Sequence, residues 1–189
     1  MQFSLFGAAA ADPAPADLDG VLLAGGHWVR SPAGARLSVV VPDRWRADAL
    51  AEAFELREVS GPESIVDAEG GYGARTAFAE QLLAAAARWT RGANQGPPPG
   101  FALSAGGLRL WAITSGRRDE VGYLLGTTES DDAVHLAAGA QLSRLGVAAV
   151  SVARGGPGWR VTSVKRLRRL VELLGEPPRG GDADWPAPH

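Results

Sequence analysis

The sequence predicts an α+β fold made of two similar repeats that follow each other along the chain. Three observations predict this fold. A glycine-rich motif occurs twice, further pairs of predicted elements recur in the same order at nearly the same offset, and a Pro/Gly-rich stretch separates the two copies. Duplicated supersecondary units of this kind bury their apolar faces against each other, so the repeat determines the fold more than any single element does.

The repeated motif has the form x-G-G-x-G-x-R and is followed by a helical pattern. It begins at Glu69 and again at Arg154, an offset of 85 residues. The paired glycines indicate a tight turn between two strands. The apolar spacing after the arginine predicts a helix that reaches Trp89 in the first copy and Leu174 in the second.

A strand and a second helix precede the motif in each half. Helical patterns begin at Asp43 and Asp131, an offset of 88 residues, and aspartate is a favoured N-cap. Apolar or β-branched runs at 37–41 and 123–128 come before them and predict strands. Each half therefore reads helix, strand, helix, hairpin and helix, and the first of these helices is residues 18–26 in one half and 108–116 in the other.

The first helix of each half carries a resemblance to a known family. Leu18–Gly26 reads LDGVLLAGG and resembles the nine-residue LAGLIDADG motif of homing endonucleases, and Leu108–Gly116, at an offset of 90, resembles it more loosely. The resemblance extends over residues 17–176. It implies two αββαββα-type repeats related by a pseudo-twofold axis, with helices packed on antiparallel sheets that form a saddle over DNA.

The same resemblance implies where catalytic acids would stand. In the family the eighth motif residue is a carboxylate that helps to hold divalent metal ions, which phosphodiester cleavage requires. Here the two positions are Gly25 and Ser115. We therefore expect no catalytic residue, no metal site, no cofactor and no enzyme activity. A divergent nuclease that uses acids at other positions, such as Asp19 and the pair 119–120, is an alternative.

A second alternative is a transcriptional regulator. The chain also resembles the LAGLIDADG-like domain of WhiA regulators, which keeps the fold without nuclease activity. Against this reading, the 189 residues leave no room for a separate helix-turn-helix module.

Composition excludes several classes of protein. The chain has no cysteine, which removes disulfides, thiolate metal sites and cysteine nucleophiles. The three histidines, at positions 27, 135 and 189, do not cluster in sequence. No long apolar run predicts a membrane span, and no basic residue precedes Arg30 as a secretory signal would require. We expect a cytoplasmic, nucleoid-associated protein with no membrane partner.

The formal net charge of −2 hides an uneven distribution. No acidic residue occurs from Ala133 to Val171, whereas seven basic residues do. Period-two alternation places Arg36 with Ser38, and Arg160 with Thr162, on shared strand faces. Such arginines suit phosphate contacts, although arginines that only solubilise the surface are the alternative. The residues predicted to bind DNA are Arg36, Arg75, Arg154, Arg160, Lys165, Arg166, Arg168 and Arg169. Among the tryptophans, Trp159 is the best candidate for an exposed stacking platform.

The first residues of the sequence carry a second resemblance. Gln2-Phe3-Ser4-Leu5-Phe6 resembles the bacterial sliding-clamp-binding pentapeptide of the type Q-L-[S/D]-L-F, with Phe3 as the departure. The resemblance implies that Leu5 and Phe6 enter an apolar pocket while Gln2 makes a polar contact at its rim. An arm that packs on the protein's own core is the alternative.

Together these features predict an accessory protein of DNA replication or repair. It would dock on the β sliding clamp and bind DNA, or another replisome or repair protein, through its folded body. The predicted organisation is a flexible arm with the clamp-binding peptide (1–16), a first repeat (17–95), a Pro/Gly linker (96–106), a second repeat (107–177) and a flexible tail (178–189).

Overall fold

Two repeats with the same order of elements make up the protein. The computed structural model describes residues 7–8, 11–128, 132–153 and 156–187. The first repeat comprises α1 (Asp19–Leu23), β1 (His27–Ser31), β2 (Gly34–Val41), α2 (Arg44–Glu55), β3 (Ile65–Ala68), β4 (Gly71–Arg75) and α3 (Leu83–Trp89), followed by a short hairpin of β5 (Thr90–Arg91) and β6 (Asn94–Gln95). The second comprises α4 (Ala105–Ser115), β7 (Gly116–Asp119), β8 (Gly122–Gly126), α5 (Asp132–Arg144), β9 (Val150–Val152), β10 (Gly158–Val161) and α6 (Val164–Leu174). The predicted α+β fold of two αββαββα repeats is confirmed.

Each repeat contains one antiparallel four-stranded sheet. The strand orders are β1-β2-β4-β3 and β7-β8-β10-β9, so the two sheets have the same topology. Along β2 the side chains of Ala35, Leu37, Val39 and Val41 are buried, and the residues between them are not. Such alternation is typical of an antiparallel sheet with one face on the core and the other open.

The first helices of the two repeats pack directly against each other. α1 crosses α4 where Gly20 lies on the backbone of Gly107, and a Cβ atom added to Gly20 would overlap the carbonyl oxygen of Gly107. Two backbones can approach this closely only where side chains are absent. This crossing joins the two halves into one core, in which Leu22, Leu108 and Trp111 are almost fully buried.

A buried carboxylate forms a polar link between the repeats. Asp17 lies in a 3₁₀ turn (Pro15–Leu18) just before α1 and is 6% exposed. Its Oδ2 atom is 2.7 Å from Nη2 of Arg57 in the first repeat, and its Oδ1 atom accepts a 2.6 Å hydrogen bond from the hydroxyl of Ser104, the N-cap of α4. The same Ser104 hydroxyl accepts a hydrogen bond from the backbone N–H of Gly107. Because Asp17 holds this hydroxyl in place, it positions the start of α4.

A buried arginine holds the other end of α4. The guanidinium of Arg46, on α2, donates hydrogen bonds of 2.9 and 2.8 Å to the carbonyls of Ile113 and Gly116. These carbonyls lie at the C-terminus of α4, where helix carbonyls lack partners within the helix and favour a cation. Arg46 also forms ion pairs with Asp43 and with Asp184 near the end of the chain.

The end of the chain differs from the predicted flexible tail. Trp185 is buried, donates its indole N–H to the carbonyl of Gly175, and lies under the guanidinium of Arg109. Trp45 packs against Gly181, and Arg118 donates to the carbonyl of Asp182. The sequence prediction was based on Pro and Gly content, which does not reveal that a single tryptophan anchors the segment.

Several local predictions also need correction. Leu18–Gly26 is not one helix, because a 3₁₀ turn ends at Leu18 and α1 ends at Leu23. Each repeat contains one strand that the sequence pattern does not indicate, β1 after α1 and β7 after α4. Asp43 stands at the N-cap of α2, but its carboxylate accepts from Arg46 rather than from the helix amides. In the linker, Leu103 is buried and Phe101 packs edge-on against Trp89.

No helix among the described residues is both long enough and apolar enough to span a bilayer.

Candidate nucleic-acid interface

The two positions that would carry catalytic acids lie just beyond α1 and at the end of α4. Gly25 has φ = +100°, a backbone conformation that residues other than glycine rarely adopt, so an aspartate there would be strained. Ser115 is the last residue of α4, and its hydroxyl donates a 2.9 Å hydrogen bond to the carbonyl of Gly126. Neither position supplies a carboxylate.

Asp19, the nearest acid in α1, is part of the core. Its side chain accepts a 2.7 Å hydrogen bond from the indole N–H of Trp89, and Nη2 of Arg88 lies 3.2 Å away. Burial raises the pKa of the Asp19 carboxyl above its ordinary value, although Arg88 and Trp89 act in the opposite direction. This carboxylate therefore connects α1 to α3 and is not free to bind a metal ion.

Asp119 is the last residue of β7 and Glu120 follows it, and the two acids differ in their surroundings. Asp119 accepts a 2.6 Å ion-paired hydrogen bond from Nε of Arg160 and accepts the amide of Val121, whereas Glu120 is exposed at the turn. Over residues 7–8, 11–128, 132–153 and 156–187, no three His, Asp or Glu side chains are grouped so that they could hold a metal ion.

Two predicted DNA-binding arginines lie on the open face of the first sheet. Arg36 is on β2, and its guanidinium carbon lies 4.3 Å from the centroid of the Phe78 ring. Its Nε atom is buried and makes no hydrogen bond. Arg75 is on β4 beside Ser38 and donates to the carboxylate of Glu63 at 2.6 Å. Arg36 and Ser38 thus share one face of β2, as the alternation predicts. The ion pair of Arg75 with Glu63 was not predicted.

The open face of the second sheet carries a row of four neighbouring residues. Strand registers place Arg117, Leu124, Arg160 and Val150 side by side across β7, β8, β10 and β9. Leu124 is buried between the two arginines, and Val150 is exposed. On the open face of each sheet an arginine pairs with a carboxylate, Arg75 with Glu63 and Arg160 with Asp119.

The four predicted DNA-binding residues of α6 occupy a different part of the surface. α6 packs against α4 through Leu167, Leu170 and Leu174, on the core side of the second sheet. Lys165, Arg166 and Arg168 are exposed and Arg169 is half-buried on the remaining faces of the helix. The structure thus does not bring these cations together with the arginines of the sheets.

Trp159 is not the exposed stacking platform that the sequence suggests. Its ring stacks on that of His135 with centroids 4.9 Å apart, its N–H donates to the carbonyl of His135, and it packs closely on Gly139. Trp159 alternates with Arg160 along β10 and so faces α5. The remaining predictions at Arg154 and at Gln2–Phe6 lie outside the described residues.

Sequence reasoning missed the carboxylates that pair with the sheet arginines. Glu63 precedes β3, twelve residues before Arg75, and Asp119 is 41 residues before Arg160. One signal was available for the first, because a predicted hairpin places its two ends side by side. β7 and β8 form a tight hairpin, but the pairing of β8 with β10 that brings Asp119 to Arg160 joins strands far apart in sequence and follows no local pattern.

Comparison with known proteins gives a structural neighbour. No family model and no curated protein matches the sequence. A solved structure of the homing endonuclease I-WcaI bound to its DNA recognition sequence superimposes with a TM-score of 0.60 at 12% identity, covering 84% of this chain and 78% of that one. At this identity the likeness concerns the fold alone. The chain therefore has a LAGLIDADG-like fold.

Proposed function

We propose that this protein is a non-catalytic accessory factor of DNA replication or repair, which binds duplex DNA through its sheets and docks on the β sliding clamp through Gln2–Phe6. The observation that carries the proposal is that neither copy of the motif has a carboxylate at its eighth position. Gly25 and Ser115 replace the acids of a fold whose solved neighbour is a DNA-bound endonuclease, and Asp19 is engaged in the core.

The open faces of the two sheets supply the DNA contact. Arg36, Arg75 and Arg160 present guanidinium groups there, and guanidinium forks suit phosphate oxygens and the edges of guanine. The carboxylates of Glu63 and Asp119 compete with phosphate for Arg75 and Arg160, so intrinsic DNA affinity is modest.

Removing this competition is expected to strengthen DNA binding. Glu63→Gln and Asp119→Asn keep the shape of each side chain, and asparagine can still accept the amide of Val121. Each change removes the carboxylate that competes for one arginine, although Nε of Arg75 keeps its bond to the carbonyl of Glu63. We expect binding about threefold to fivefold tighter, corresponding to about 1 kcal/mol or less. Fluorescence anisotropy of a labelled duplex measures the dissociation constant.

A charge-matched control comes from α2. Glu55 is exposed at the end of that helix, so Glu55→Gln makes the same change in net charge away from the open faces. Equal tightening by all three variants would show a general charge effect and would contradict a DNA contact through the sheets.

The clamp contact has a separate basis. Its support is the resemblance of Gln2–Phe6 to the clamp-binding pentapeptide, together with the exposed segment Ala11–Pro13 that leads to the body. Ala14 is fixed to the body by hydrogen bonds to Asp17 and Arg57, and Gly7 upstream is buried. A tethered peptide raises the local concentration of the body on clamp-loaded DNA, which compensates for modest affinity.

Purified bacterial sliding clamp tests this contact in a pull-down. Leu5→Ala/Phe6→Ala removes both apolar anchors and is expected to weaken capture at least about tenfold. Asp12→Ala, in the exposed segment, is the control and should be captured as well as the unchanged protein. Undiminished capture of the double variant, or no capture of the unchanged protein, would remove the clamp from the proposal and leave the DNA contact standing.

A further inference from the structure

The exposed side of α6 is a basic surface that the sheets do not share. Its apolar stripe, Leu167, Leu170, Leu173 and Leu174, is buried. Lys165 and Arg168 lie opposite that stripe, three residues apart and so about 4.5 Å along the helix axis. Arg169 lies beside Lys165 and is half-buried, and Arg166 is exposed next to the stripe. The α6 surface, defined as these four cations, thus covers about 160° of the circumference of the helix.

Few acids neutralise the α6 surface. Arg169 lies 3.3 Å from Glu172, and in the part of the chain that the structure describes, Lys165, Arg166 and Arg168 form no ion pair. The sheet arginines differ, because Arg75 and Arg160 are each held by a carboxylate. The cations of the second repeat that are most available to an outside anion are therefore those of α6.

An open groove of about 1060 Å³ lies along the α6 surface, between the first turns of α6 and Gly146, which follows α5. Val164 is its exposed apolar residue. Protein partners usually need a central cluster of apolar or aromatic anchors, which this groove does not offer among its described residues. Closely spaced cations without anchors match a phosphate backbone, in which each strand carries one charge per 3.4 Å of axis.

The α6 surface and the open face of the second sheet belong to different layers. α6 packs on α4, which contacts the core side of the sheet, whereas Arg160 projects from the open side. A duplex on the open face leaves the α6 surface uncovered. We propose that the α6 surface binds the phosphates of a second nucleic-acid segment, so that one molecule bridges two duplexes. This inference rests on the proposed DNA contact of the sheets.

Energy transfer between donor- and acceptor-labelled duplexes tests the bridge. The full chain is expected to produce transfer, and Lys165→Gln/Arg166→Gln/Arg168→Gln to reduce it at least about tenfold while still binding a single duplex. For binding of the second duplex, log K should fall less steeply with log salt in the triple variant. The slope should be smaller in magnitude by about 2.7, because three phosphate contacts of about 0.9 each are lost. Arg30→Gln/Arg91→Gln/Arg179→Gln neutralises three other exposed arginines and should retain the transfer.

The outcomes separate the two proposals. Duplex binding without energy transfer by the unchanged protein would overturn the bridge and leave the proposed function intact. Transfer that persists in the α6 variant would also overturn it, because the two duplexes would then be held by a protein dimer. Binding of labelled polyglutamate at α6, with no second duplex bound, would overturn it in favour of an acidic protein. No duplex binding by any variant would contradict the proposed function itself.

Discussion

Asp17→Asn is expected to lower the free energy of unfolding by about 3–5 kcal/mol, because it breaks a buried ion pair on one side only. The side chains of Asp17 and Arg57 are 8% and 7% exposed. An asparagine accepts fewer hydrogen bonds and turns N–H groups towards donors, so the Arg57 guanidinium would remain buried without a counter-charge. Ser104 would lose its acceptor at the same time, which loosens the start of α4.

Urea unfolding followed by tryptophan fluorescence measures this loss. Asp48→Asn is the matched control, because Asp48 pairs with Arg44 at a similar distance, 2.9 Å, but both side chains are more than half exposed. An exposed pair contributes about 1 kcal/mol or less. If Asp17→Asn and Asp48→Asn unfold at the same urea concentration, Asp17 does not stabilise the junction of the repeats.

Gly20→Ala is expected to destabilise the protein by about 3 kcal/mol or more, at or above the upper end of the usual cost of overpacking. The added methyl group would overlap the carbonyl oxygen of Gly107, a backbone atom inside α4 that no rotamer change can move away. α1 and α4 would have to separate along their crossing, and the apolar contacts between the two repeats would be lost with it.

Thermal unfolding compares this variant with Gly96→Ala. Gly96 lies after β6, and a Cβ atom there meets no atom within 4 Å, so the same chemical change is expected to have little effect. An unaltered midpoint in Gly20→Ala would show that the helices do not cross at this glycine in solution. Gly96→Ala is expected to keep or slightly raise the midpoint, because alanine restricts the unfolded chain more than glycine does.

The repeated elements were predictable from sequence because each has a local signature. Apolar alternation marks β2, glycine pairs mark the turn before β4, and an apolar stripe marks α6. The duplication then relates the two halves without any knowledge of their contacts. β1 and β7 were missed as patterns, since His27–Ser31 does not alternate clearly and Arg117–Asp119 is charged throughout.

The long-range polar contacts were not predictable in the same way. Asp17 meets Ser104 across 87 residues, and Arg46 meets Gly116 across 70. Such pairings depend on how the repeats pack, which residue spacing does not encode. For the same reason the sequence grouped the arginines of the sheets with the cations of α6, although the fold places them in separate layers.

Incubation of labelled duplexes of random sequence with the pure protein and Mg²⁺ or Mn²⁺, resolved on native and denaturing gels, tests the central claim most directly. The native gel reports binding and the denaturing gel reports the integrity of each strand. Because Gly25 and Ser115 supply no carboxylate and Asp19 is held by Trp89, we predict retarded duplexes with both strands intact. Metal-dependent strand breaks, or duplexes that are not retarded even in low salt, would contradict a DNA-binding protein that does not cleave.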